Sequence, residues 1–281
     1  MDLDETFSSI DLVTQCLTDK KRTDRFEEAI ARNVKKGDLV MDSGTGSGIL
    51  ALMAARAGAK KVLAVEYDPY VAKLAVQNVA NNDFSDVVDL VVGDARDVNF
   101  AKDTVFDVII MEMLTTGMID EYQVWTMNNL HKKGYVTAET RLIPQRQDTF
   151  IALGEADYTN YGLTMRMVRH VWPPHCTIDL RKLTKTELLN SVSFNTVNPL
   201  SSHSVMQFTI EEAGTLNSLY LTSNTILDEQ TEVDDTAALN APVVLPIESD
   251  IEVEKGDTVE VTVSYGFGGG FRNFSAHVRK L

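Results

Sequence analysis

The chain has 281 residues, long enough for a full α/β domain plus a second, smaller one. Its formal net charge of −15, from 41 acids against 26 Lys and Arg, works against tight nucleic-acid binding, which normally needs a basic face. No apolar run reaches the roughly 18 residues that span a bilayer, and the acidic start Met1-Asp2-Leu3-Asp4-Glu5 shows no signal peptide, so a cytoplasmic protein is expected.

In chain order, the first chemical feature is the basic run Asp19-Lys20-Lys21-Arg22-Thr23, just before a helical stretch. Arg22 either folds over a pocket or belongs to a solvated basic turn. Asp38-Leu39-Val40-Met41 reads as a strand. It runs into Asp42-Ser43-Gly44-Thr45-Gly46-Ser47-Gly48, then a helix from Ile49 to Ala57 that Gly58 closes as a left-handed cap. A second strand, Val62 to Val65, ends at Glu66, twenty residues after Gly46. Asp68 as N-cap and Pro69 in the first turn open a second helix through Val71, Leu74, Ala75 and Val79. Two further strands, Val87 to Val92 and Phe106 to Met111, lead to Asp94 and Glu112. Their carboxyl ends share one edge of a parallel sheet, where open α/β folds bind ligands.

Gly44, Gly46 and Gly48 let backbone approach a ligand, and Glu66 offers a carboxylate to two ribose hydroxyls. Dinucleotide sites usually read G-x-G-x-x-G and face a pyrophosphate. Here the spacing is G-x-G-x-G, and Asp42 would repel a pyrophosphate while suiting an ammonium group. S-adenosylmethionine has an α-amino group, a sulfonium and no phosphate, and it is the expected cofactor. Arg22 would then face its methionyl carboxylate. Asp94 is placed to meet the adenine, or is only a helix cap.

After Ile143-Pro144 the pattern changes to period two. Val259, Val261, Val263 and Tyr265 alternate with polar residues, and Phe274, Ala276 and Val278 recur at the same interval. This predicts an antiparallel sandwich or barrel, with Gly268-Gly269-Gly270 as a hairpin tip. The expected division is 1–145 for cofactor binding and 146–281 for the β-rich part, the two packed closely. Between Glu211 and Glu260 stand thirteen acids against Lys255 alone. That surface either attracts basic partners or only keeps the protein soluble.

In-line methyl transfer requires an aligned nucleophile and a water-free site. Glu112 ends the fourth strand, and Glu121 follows nine residues later. Two carboxylates there could clamp a guanidinium by bidentate hydrogen bonds; alternatively Glu121 sits with Asp120 in a helix's first turn. The segment Met111-Glu112-Met113-Leu114-Thr115-Thr116 has neither the proline nor the aromatic ring that base-amine methyltransferases commonly carry at this point. No metal site is expected: His170, His175 and Cys176 match no metal spacing. Cys16 and Cys176 read as packed thiols rather than a disulfide.

From Cys16 to about Asp157 the chain resembles the protein arginine N-methyltransferases, class I S-adenosylmethionine-dependent enzymes. The resemblance rests on Leu17-Thr18-Asp19-Lys20-Lys21-Arg22-Thr23, the glycine loop, Glu66, and Phe106 through Glu112. It implies a Rossmann-like α/β domain followed by an antiparallel β-barrel-like domain. It further implies Arg22 on the cofactor carboxylate, Glu66 on the ribose, and Glu112 with Glu121 as the paired catalytic glutamates. The departures are specific. The family's Thr-His-Trp loop aligns with Ala238-Leu239-Asn240, so its histidine is absent and Asp19 loses that partner. Met113 and Thr116 replace aromatic residues, the N-terminus is too short for a tyrosine-bearing lid helix, and the dimerisation arm is reduced, leaving a homodimer open.

The leading expectation is an N-methyltransferase acting on a basic protein or peptide. The alternatives are a related enzyme acting on RNA, which the charge disfavours, and a non-catalytic cofactor-binding scaffold.

Overall fold

Five parallel strands form the first sheet in the order β3-β2-β1-β4-β5: β1 Leu39–Ser43, β2 Lys61–Glu66, β3 Val88–Val92, β4 Val108–Met111 and β5 Arg141–Ile143. The computed structural model describes residues 9–172, 176–236 and 238–281. The acidic start Met1 to Glu5 and His175 lie outside the described residues. Buried Val40, Met41, Val62, Ala64 and Val108 through Met111 make near-continuous apolar strands, as a sheet covered on both faces requires. Chain order reverses at β1, which pairs with β2 on one side and β4 on the other. The crevice at that reversal is where such sheets bind ligands.

Among the described residues the α-helices are α1 Ile10–Thr18, α2 Lys20–Asn33, α3 Ile49–Ala57, α4 Pro69–Asn81 and α5 Gln123–Lys132. Gly48 (φ +84°) opens α3 and Gly58 (φ +109°) closes it, both in the left-handed region that glycine tolerates. Asp68 caps α4 by accepting from the N–H groups of Tyr70 (2.7 Å) and Val71 (3.0 Å). Two strand boundaries shift by two residues from the sequence expectation. β1 extends through Asp42 and Ser43 because their pairing with Ala64 and Val65 continues. β4 starts only at Val108, since Phe106 turns instead into an aromatic cluster with Phe100 and Tyr135.

From β6 (Arg146–Ala156) onward the pairing is antiparallel. β6 and strands 214–226 and 243–253 form the middle of a seven-stranded sheet. Strands 201–209, 258–266 and 275–280 make a second sheet of three. Val259, Val261, Val263 and Tyr265 are buried, so the period-two reading holds there. One apolar cluster runs through both halves, so the cores merge rather than standing apart. No helix among the described residues is long and apolar enough to cross a membrane.

Polar contacts fix the halves to each other. Asp228, just past strand 214–226, accepts from Arg32 Nε (3.1 Å), Arg32 Nη2 (3.3 Å) and Asn33 Nδ2 (2.8 Å) at the end of α2. Its carboxylate is buried. Asp228→Ala is expected to cost about 2 kcal/mol, because several charge-assisted donors lose one acceptor. Urea denaturation checks this as an earlier midpoint, whereas Arg25→Ala, on the exposed Arg25–Glu28 pair, should leave the midpoint nearly unchanged.

Candidate active site

A cavity of about 440 Å³ opens at the carboxyl edge of β1, β2 and β4. Gly44 and Gly46 line it, together with Glu66, Asp94, Glu112 and Glu121. The glycine loop folds back onto β2, with the N–H groups of Gly44 and Thr45 donating to the Val65 carbonyl (3.0 and 2.8 Å). Glu66 is almost fully buried. One oxygen accepts from Gly46 N–H (2.8 Å) and the other from Asp68 N–H (3.0 Å). Gly44 has φ +72°, and a Cβ there would stand 3.0 Å from Met113 Cγ, so this turn both strains and crowds any other residue.

Two of the sequence-predicted residues lie behind the cavity wall. Gly48 caps α3 and faces Ala75 of α4. Asp42 is buried and accepts from the Thr45 hydroxyl (2.5 Å), so its carboxylate braces the loop and is not among the cavity-lining residues. Burial pushes the Asp42 carboxyl up to about 6, although the Thr45 hydroxyl and the Ala51 N–H pull it down. Asp94 does line the cavity, and both of its oxygens accept from the Arg96 side chain.

Arg22 stands in the first turn of α2, inside the cavity rather than on a solvated turn. Its Nε donates to Glu112 Oε2 at 2.8 Å, its Nη2 donates to the same oxygen, and Nη1 donates to the Cys16 carbonyl at 3.1 Å. The two side chains are only 5% and 6% exposed, so this is a buried ion pair. Glu121 has no hydrogen-bond or ion-pair partner among the described residues. Burial, with Glu112 and Asp120 nearby, drives its carboxyl well above the ordinary range. This half-buried carboxyl opens onto the cavity, where a hydrogen-bond donor can reach it.

The loop between Glu112 and Glu121 turns tightly at Gly117 (φ +70°) and Met118 (φ +51°). The β-rich half grips it: Gly117 N–H donates to Ser223 Oγ (3.0 Å), and Thr116 Oγ1 donates to the Ala241 carbonyl (2.7 Å). Gly268 and Gly270 donate N–H groups to the carbonyls of Met118 and Ile119 (3.0 and 2.9 Å). The glycine run therefore joins two paired strands, as expected of a hairpin, and also clasps the acidic loop.

Two departures from the family pattern take definite form. With no histidine in the aligned loop, Asp19 caps α2 through Arg22 N–H (3.1 Å) and accepts from Ala238 N–H (3.2 Å). Helix α1 carries no tyrosine but still reaches the cavity: Val13 approaches Gly46, and Leu12 and Cys16 line the wall. Burial and Glu112 push the Cys16 thiol up to about 12. Sequence reasoning missed Arg96, Tyr122 and Trp172 on this wall, named Asn240 only in the aligned loop, and considered His170 only to set it aside as a metal ligand. His170 Nε2 lies 3.5 Å from Asp120 Oδ2, with its ring stacked on Trp172. It reaches the cavity because strand 169–170 pairs with Val243 and Val244, a register that no local pattern signals. Among the described residues no group of His, Cys, Asp and Glu could hold a metal ion.

Folded Asp42 keeps its proton to higher pH than the unfolded chain, so its contribution weakens stability as pH rises from about 4 to about 6, by roughly 3 kcal/mol. Asp42→Asn should flatten the pH dependence across that window, measured by denaturant midpoints at several pH values.

Comparison with known proteins places this geometry. The model of a family described as ribosomal protein L11 methyltransferase (PrmA) matches residues 23–167, just over half of the chain. An uncharacterized protein of Methanocaldococcus jannaschii is 32% identical over 262 residues, covering 93% of this chain and 94% of that protein. Protein arginine N-methyltransferase PRMT10 of Oryza sativa subsp. japonica is 39% identical over 118 residues, 41% of this chain and 30% of that protein. Among solved structures, the Trypanosoma brucei PRMT1 enzyme–prozyme heterotetrameric complex with AdoHcy superposes with TM-score 0.77 at 20% identity. That match covers 98% of this chain and 99% of the other. The shared fold is a parallel sheet with helices followed by antiparallel sheets.

Proposed function

The chain belongs to the methyltransferase family described as ribosomal protein L11 methyltransferase, and from that premise we propose that it methylates a nitrogen on a basic protein or peptide side chain. It is an arginine methyltransferase-like, class I S-adenosylmethionine-dependent enzyme. The observation that carries the substrate reading is the Glu121 carboxyl, without a partner among the described residues, beside the Arg22–Glu112 pair in one cavity. When bound, S-adenosylmethionine supplies a methyl group made electrophilic by a sulfonium.

The chain's residues divide the remaining work. Gly44 and Gly46 give the ligand a side-chain-free floor, with Gly48 turning the chain into α3 and Asp42 bracing the loop from behind. Glu66 serves the ribose hydroxyls, Asp94 the adenine end, and Arg22 the methionyl carboxylate. Residues 1–145 hold these groups, and 146–281 form the β-rich wall on the substrate side. Glu112 and Glu121 accept N–H bonds from a guanidinium-type cation and aim one nitrogen at the methyl group. That cation also offsets the cost of ionising Glu121 in its half-buried place. The acids between Glu211 and Glu260 favour approach of a basic partner. Exposed Tyr161, Leu163, Met165 and Met167, around the 159–164 hairpin, support a homodimer.

Incubation with methyl-labelled cofactor and cell extract should give label that protease removes and ribonuclease does not. Label removed by ribonuclease would mean an RNA substrate, and cofactor binding without transfer would mean a scaffold. Glu112→Gln should lower transfer by at least about 100-fold while cofactor affinity changes only a few-fold. Equal turnover in that variant contradicts the paired-glutamate clamp.

A further inference from the structure

Arg96 touches both ends of the cavity. Its backbone N–H donates to Asp94 Oδ1 (2.8 Å), its Nε reaches both carboxylate oxygens (3.0 and 2.9 Å), and its Nη2 donates to Oδ2 (2.6 Å). The same guanidinium lies over the Tyr122 ring, 4.3 Å from the centroid. Tyr122 directly follows Glu121 and is the N-cap residue of α5. Gly268 also abuts that ring: a Cβ there would fall 2.6 Å from Tyr122 Cδ1, so the ring packs against bare backbone. Further along α5, Asn129 Nδ2 donates to the Arg96 carbonyl. The start of α5 is thus tied to the segment that carries Asp94.

We infer that Arg96 is a positioning residue that couples occupancy of the Asp94 end of the cavity to the placement of the Glu121 carboxylate, acting through the Tyr122 ring. The inference rests on the methyl-transfer reading above. Cation–π attraction to the ring holds Tyr122 in place, and Tyr122 sets the backbone from which Glu121 projects. A ligand donor arriving at Asp94 meets a carboxylate already shared with Arg96, so the pull of the guanidinium on Asp94 and on Tyr122 changes together. Reciprocity follows: whatever seats Glu121 more firmly also changes binding at Asp94. A misplacement of Glu121 by even an ångström costs transfer far more than it costs binding of the nucleoside.

The test uses the whole chain and the variants Arg96→Met, Tyr122→Leu and Tyr122→Phe. Calorimetry measures affinity for S-adenosylhomocysteine, hydrogen exchange follows residues 113–122, and labelled transfer gives kcat and KM. Arg96→Met and Tyr122→Leu should lower kcat by about 10- to 100-fold and speed exchange at 116–121, with affinity changed by less than about 3-fold. Tyr122→Phe keeps the ring and should behave as wild type. Wild-type kcat in Arg96→Met, an affinity loss that accounts for the whole effect, or a Tyr122→Phe as poor as Tyr122→Leu would each overturn the inference. Failure of the wild-type chain to bind S-adenosylhomocysteine would instead overturn the reading beneath it.

Discussion

The buried Arg22–Glu112 ion pair is the constraint on which the site depends. It joins the first turn of α2 to the end of β4, the two elements that must meet for the cavity to close. Burying two charges is expensive, and their mutual attraction roughly offsets that cost only when the geometry is good. What the pair secures is therefore position more than stability. Asp19 extends the same constraint outward, since it caps α2 and also holds Ala238 N–H in the β-rich half. A single helix start thereby registers the cofactor edge against the opposite wall.

Charge around the cavity is unbalanced in a way that suits a cationic ligand. Arg22 and Arg96 are each committed to a carboxylate, while Glu121 is left without a partner among the described residues. Both a sulfonium and a protonated side chain relieve that imbalance. The grip of Ser223, Ala241, Gly268 and Gly270 on the 112–121 loop keeps the acid in place against its own repulsion. The β-rich half is accordingly part of the site and not an appendage.

Much of this was legible in the sequence where local rules operate. The left-handed Gly58 cap, the Asp68–Pro69 helix start, the G-x-G-x-G turn and the Glu66 spacing each reflect contacts within a few residues or one βαβ unit. The alternation from Thr258 to Tyr265 likewise shows its burial directly. Asp42 was harder: its position before the glycines is local, but the direction of its carboxylate depends on Thr45 and the start of α3. Arg96 stacking on Tyr122, His170 beside Asp120, and Asp19 against Ala238 are long-range meetings. They are set by how the strands of the second half register against the first, and no periodicity in either segment carries that information.

Titration calorimetry of the whole chain with S-adenosylmethionine, and separately with NAD, distinguishes the two kinds of ligand this sheet edge could hold. One methyl donor should bind per chain, with no uptake of the dinucleotide, whose pyrophosphate would face the acid-rich edge formed by Glu66, Glu112 and Glu121. Uptake of NAD with indifference to the methyl donor would contradict the methyl-donor reading.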